Sequence, residues 1–257
     1  MPPPPTLLKK VPEVTVHFWI VKVLTTGMGE ASSDYLIHTI DPYLAVAAGA
    51  VALAIALALQ FYVRRYIVGV YWLAVVMVAI FGTMAADAVH FLGTPYAVST
   101  TLYGVALALI FLAWYRSEKT LSIHSIFTRR REAFYWSAVL ATFATGTAAG
   151  DLTAYTLHLG WLASGVLFAV VIAIPALAYR FAGLNEVLAF WFAYVITRPL
   201  GASFADWVGV PRSLGGLNAG RATVSLALTV AIVAYLGFLS ASGVDVAEPR
   251  TARGAMR

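Results

Sequence analysis

The chain has 257 residues, 61% of them hydrophobic and only 11% charged. With a mean hydropathy of +0.82, it carries more apolar surface than one water-soluble core can hide, which excludes an ordinary soluble domain and points to a bilayer. The lack of cysteine excludes a disulfide framework, a thiolate metal site and a thiol redox motif. The net charge of +5 does not signal nucleic acid, because Lys and Arg sit in short clusters beside apolar spans, as topology determinants do.

The chain opens on MPPPPTLLKK, a proline-rich stretch that refuses helix, and residues 1–12 read as a cytoplasmic tail. A cleaved signal peptide is disfavoured for the segment after this tail, since Lys22 interrupts the apolar run. Stretches of about 20 apolar residues, enough to cross a membrane, lie at 15–38, 43–62, 68–91, 97–115, 133–157, 161–180, 184–208 and 221–241. The expected fold is therefore an all-α integral membrane protein of eight transmembrane helices, with residues 13–241 as a single domain. The segment SEKTLSIHSIFTRRR, Ser117 to Arg131, reads as a cytoplasmic linker (117–131), either a short interfacial helix or a plain loop. Residues 242–257 read as a polar cytoplasmic tail.

A spaced pattern recurs four times: a Trp, nine residues, a Gly, four residues, an Asp. The copies are Trp19/Gly29/Asp34, Trp72/Gly82/Asp87, Trp136/Gly146/Asp151 and Trp191/Gly201/Asp206, at spacings of 53, 64 and 55 residues. Such a register marks internal repeats, at about 13–66, 67–116, 132–181 and 184–241. Each repeat pairs an odd helix bearing the aspartate with an even helix free of internal charge, so it reads as a helical hairpin. Two helices per repeat make all four hairpins parallel, in two pseudo-symmetric halves joined by the linker. Thirteen Lys and Arg on the side of the termini, against Arg212 and Arg221 on the other, place both termini in the cytoplasm.

Along each odd helix the Trp falls where an aromatic ring anchors at the headgroup level. The Gly lies about 15 Å further on and the Asp about 22 Å. Trp and Asp share one broad face, with the Gly about 140° from the Asp. The intervening residues, GEASSD, GTMAAD, GTAAGD and GASFAD, are nearly all small, as close helix packing in lipid requires. Gly29, Gly82, Gly146 and Gly201 are thus expected to admit a neighbouring helix. The alternative is local unwinding, with Gly201 the best candidate because Pro199 removes a backbone donor just before it.

A carboxylate at the centre of a membrane helix costs at least about 2.5 to 3.5 kcal/mol, and this chain incurs that four times at one level. Asp34, Asp87, Asp151 and Asp206 are therefore the expected ion ligands. Glu30, one turn before Asp34, is the fifth. Hydroxyls from Thr26, Ser33, Thr83, Thr147 and Ser203 and one imidazole, His90, complete a hard-cation environment that suits Mg²⁺, Ca²⁺, Mn²⁺ or H⁺ and not Cu⁺. Lys22 and Arg198 are the two cations inside helices, and Arg198 is expected to stand in for the ion when the site is empty. Five carboxylates against two cations must hold protons or bind a cation. A register-fixing role for the carboxylates, bonded to Ser and Thr, is the plain alternative. No GxSxG, HExxH, P-loop or GxGxxG occurs in a usable context, so no enzyme is expected.

The runs VPEVTVHFWIVKVLTTGMGEASSDYL, SIHSIFTRRREAFYWSAVLATFATGTAAGDLTA and VITRPLGASFADW resemble a family of uncharacterised bacterial integral membrane proteins described as membrane-anchored. The resemblance spans Lys10 to about Leu236 and implies a bacterial or archaeal inner membrane; it carries over no activity or ligand. From the residues, the leading expectation is a transporter of a hard divalent metal cation, Mn²⁺ or similar, with export as the preferred direction and proton exchange as the coupling considered. A channel with an aspartate ring is the second reading, weakened because Glu30, Lys22, His90 and Arg198 break the equivalence a pore favours. A sensor or assembly subunit whose buried carboxylates set helix pairing is the third. The expected partners are the lipid bilayer and the substrate cation or protons, with no resident cofactor and no nucleic acid; oligomerisation is left open.

Overall fold

Eight long helices and no strand make up the described part of the chain, residues 9–244 of a computed structural model: α1 (Val16–Thr39), α2 (Pro42–Tyr62), α3 (Val68–Phe91), α4 (Tyr96–Glu118), α5 (Arg129–Asp151), α6 (Gly160–Phe181), α7 (Glu186–Gly209) and α8 (Arg221–Ser242). The tails expected at either end fall largely outside these residues, and with them Arg250, Arg253 and Arg257. Helix boundaries follow local chemistry. The Asp41 carboxylate accepts from the Leu44 N–H with Pro42 in the first turn, Thr128 caps α5, and the Asn185 side chain accepts from the N–H groups of Val187 and Leu188, each satisfying a donor that the helix start leaves orphaned.

Six helices, α2, α3, α4, α6, α7 and α8, are long and apolar enough to cross a bilayer, which marks the chain as a multi-pass membrane protein. α1 and α5 fall short of that apolarity. Their polar side chains are buried: Lys22, Thr25, Thr26, Glu30, Ser32 and Ser33 on α1, and Glu132, Thr142 and Thr147 on α5.

The packing explains why. α1 lies against α3 and α7, α3 against α5, and α5 against α7, so the four odd helices close into a ring. The even helices stand outside it and expose apolar rows such as Val51 and Ile55, Leu102 and Val105, Val166 and Val170, Leu226 and Val230, a surface suited to lipid and not to water. The hairpin expected within each repeat is not the packing unit. α2 lies mainly on α3, α4 on α5, α6 on α7, and α8 returns to α1. Each outer helix therefore covers the inner helix of the next repeat.

The repeat glycines are the points of contact around the ring. A Cβ at Gly29 would overlap Ala79, one at Gly82 would overlap Phe143, one at Gly146 the stem of Arg198, and one at Gly201 the side chain of Thr26. In every case the partner lies three residues before the glycine of the next repeat, and the fourth contact returns to the first helix. This is close helix approach through missing side chains. The unwinding considered at Gly201 does not occur: α7 runs unbroken through Pro199 to Gly209. The irregular backbone lies instead at the end of α5, in a π turn over Leu152–Thr156.

Three of the four repeat tryptophans are core residues, and Trp19 is partly buried against the same cluster. Trp72, Trp136 and Trp191 are buried with Phe18, Tyr71 and Tyr135 in one cluster, because the face they share with the aspartates points to the ring axis. The linker also differs from a surface helix. Its ends belong to α4 and α5, and between them it forms a short 3₁₀ turn at Ile123–Ser125, buries Ile123 and Ile126, and offers the Leu121 carbonyl to Trp191 Nε1 at 2.9 Å. Lys10, counted as a solvated topology charge, is buried in an ion pair with Glu132, to which Gln60 Nε2 also donates at 3.0 Å.

Candidate cation site

All four odd helices run the same way, so their C-terminal turns meet at one end of the ring. There Asp34, Asp87, Asp151 and Asp206, with Glu30, line a single cavity of about 210 Å³. The repeat aspartates are thus brought together at one level. The five do not converge equally. One carboxylate oxygen each from Glu30, Asp34 and Asp206 lies within 4.8 Å of the others, whereas Asp87 and Asp151 stand outside that triad. The reason lies in the ring: α1 and α7 are neighbours, and Glu30 has no acidic counterpart at Thr83, Thr147 or Ala202, the equivalent positions of the other repeats.

Arg198 does not line the cavity but pairs with Glu30, which does. Fully buried on α7, its Nη2 faces the Glu30 carboxylate on α1, Thr83 Oγ1 on α3 and Thr147 Oγ1 on α5 at 2.7 Å, sharing its two N–H groups among the three acceptors. The two threonines donate their own protons to the carbonyls of Ala79 at 2.9 Å and Phe143 at 3.0 Å, which leaves their lone pairs for the guanidinium. One cation thus touches every inner helix. Lys22 lies beyond it on the axis, buried, with Nζ 4.2 Å from the Phe143 ring centre and 4.3 Å from that of Tyr194. These are cation–π contacts, and no hydrogen-bond acceptor reaches the ammonium among the described residues.

The remaining expected residues divide between the cavity wall and the packing around it. His90 lines the cavity, with Nδ1 2.6 Å from the Thr94 carbonyl. Thr26 donates to the Val23 carbonyl at 2.6 Å and packs on Gly201 without lining the cavity. Ser33 and Ser203 are buried, with hydroxyls that find no partner among the described residues. Sequence reasoning missed Arg221. Its Nε donates to Asp34 Oδ2 at 2.7 Å, so a residue counted as an outer-loop charge belongs to the site. Its signal was its rarity, one of two basic residues expected on that side. Tyr96, Tyr155 and Trp161, on the cavity wall, were missed too.

The side chains of Asp87, Asp151 and Asp206 make no ion pair or hydrogen bond among the described residues. Ring and cavity together define a multi-pass membrane protein whose polar centre is assembled from four internal repeats. The chain belongs to the family described as a repeat of unknown function (DUF347), whose model matches residues 17–66, 70–120, 134–184 and 189–244. Each matched segment contains one Trp, Gly and Asp copy. Neither the search of curated proteins nor that of solved structures finds a match.

Proposed function

We propose that this protein is a membrane transporter of a hard divalent cation, Mn²⁺ or similar, with export as its direction and protons as the exchanged ion. The observation that carries the reading is the enclosed set of Asp87, Asp151 and Asp206, which face one cavity without a counter-ion. In the cation-free state Arg198 and Arg221 occupy Glu30 and Asp34. An entering divalent ion takes the oxygens of the triad and displaces one or both arginines, which couples occupancy to the contacts that hold the inner helices together. Beyond Arg198 lie the buried side chains of Lys22, Phe143 and Tyr194 and the aromatic cluster, and this packed interior favours a carrier over an open pore.

In this reading all eight helices span a bacterial or archaeal inner membrane, α1 and α5 being shielded from lipid by the others. The cavity then faces outward and the termini lie in the cytoplasm, in keeping with the thirteen-to-two basic bias. The contacts of Arg198 to the other three inner helices also favour a second reading, a packing role in a non-transporting subunit. Calorimetric titration of the purified protein with Mn²⁺ separates the two. Asp206→Asn and Asp151→Asn keep size but lose charge and are expected to weaken binding at least about tenfold. Equal binding by wild type and both variants would leave the packing role standing.

A further inference from the structure

A larger cavity, of about 470 Å³, lies away from the aspartates, in the seam where α1 and α6 flank α7 and the linker closes one end. Its volume is that of a small-molecule site. The body of the cavity is apolar: Trp19 on α1, Pro175 on α6 and Phe190 on α7 form walls, and the small side chains of Ala189 and Ala193 leave the space between them open. Trp19 is only half-buried, where the other three repeat tryptophans are buried.

From Glu186 at the mouth to Thr197 at the inner end, the cavity follows eleven residues of α7, a length of about 16 Å. That is about half the hydrocarbon thickness of a bilayer. The cleft thus has the depth of one lipid leaflet. Its mouth is polar and acidic, because the linker brings His124 there with Nε2 3.4 Å from Glu186 Oε1 and Nδ1 3.7 Å from Glu13 Oε2. Glu13 is already paired with Lys9. Glu186 has only the imidazole, which carries charge only when protonated, so the mouth offers a carboxylate to a cation and repels an anion. In a multi-pass membrane protein the amphiphile at hand is a lipid of the bilayer.

We infer that this cleft is a lipid site for one phospholipid with a primary-amine headgroup, its acyl chain along Trp19, Pro175 and Phe190 and its ammonium at Glu186. The ammonium N–H groups donate to the carboxylate, and the charge on both partners strengthens the bond. The site shares no residue with the aspartate cavity and stands apart from the cation reading.

The test is native mass spectrometry of the purified full-length chain after incubation in detergent with equal amounts of phosphatidylethanolamine and phosphatidylglycerol. Wild type is expected to retain one phosphatidylethanolamine, preferred about fivefold, the size of one exposed charge contact. Glu186→Gln should bring the two lipids to near parity. Ala193→Phe fills the cleft and should abolish retention of either lipid at this site. Should that variant fail to fold, Glu186→Gln decides the matter, since its side chain is 65% exposed and its loss disturbs no core. Wild type that retains no lipid, or both lipids equally, overturns the site, as does a preference unchanged in Glu186→Gln or a retention unchanged in folded Ala193→Phe.

Discussion

Arg198 shows how much one side chain can carry. It is the internal counter-ion of Glu30 and also the tie between four helices. Arg198→Ala leaves the Glu30 carboxylate buried and unpaired, a change that costs about 3–5 kcal/mol. If a metal ion takes the place of the guanidinium, Mn²⁺ should raise the thermal midpoint of Arg198→Ala more than that of wild type. A smaller rise in the variant would show that arginine and metal do not compete. Lys10 and Glu132 make the matching case at the opposite end. Lys10→Met should destabilise by a similar amount, and Lys10→Met with Glu132→Leu should recover most of it, because the pair's stabilisation is largely the avoided cost of a lone buried charge. Arg198 was legible in the sequence as a cation amid apolar residues. Lys10 was not: it sits in a basic cluster like any topology charge, and its partner is 122 residues away.

At the level of helices, the contact between α1 and α3 turns on a single absent side chain. Gly29→Ala drives a methyl into Ala79 and should cost about 1–3 kcal/mol by overpacking. Adding Ala79→Gly removes the nearest atom but leaves the Ala79 backbone carbon 2.9 Å from the new methyl, so the double variant should recover part, not all, of the lost denaturant midpoint. Additive losses in the two changes would mean that the glycine acts through backbone freedom and not through proximity. The odd helices, their common level and the packing use of their glycines could all be read from the register of Trp, Gly and Asp. Which outer helix covers which inner one could not. Loop lengths set the direction of the next helix but not its lateral neighbour, and the outer helices carry apolar residues on nearly every side. The aromatic wall was hidden for a related reason. Tyr96, Tyr155 and Trp161 fall in turns and first helical residues outside the repeat register, and only the meeting of α4, α6 and the π turn brings them together.

For the molecule as a whole, parallel inner helices put every aspartate at one end and both described chain ends at the other. The chain contains no cysteine, so single cysteines report sidedness without background. With the termini in the cytoplasm, a membrane-impermeant maleimide added to intact bacterial cells should label Leu92→Cys, at the aspartate end, and spare Arg64→Cys until the cells are opened. The reverse pattern would turn the cavity toward the cytoplasm and make the proposed transport an uptake system. The internal repeats were evident from the amino acids alone, since a register kept over four copies needs no structure to be seen. The closure of the ring was not, because the contact of α8 with α1 joins the two ends of the chain and leaves no local trace.

That closure has a consequence for the origin of such a chain. Since every outer helix lies over the inner helix of its neighbour and the last returns to the first, no quarter owns a core of its own. A gene encoding one quarter could yield a stable product only by assembling four identical copies around the axis, each lending its outer helix to the next. In such an assembly every residue appears four times, and an arginine at the level of Arg198 would place four positive charges on the axis. Joining the quarters into one polypeptide lifts that restriction. A single arginine in the fourth copy can then face a single glutamate in the first while the second and third carry neither, and a symmetric scaffold comes to hold an asymmetric centre.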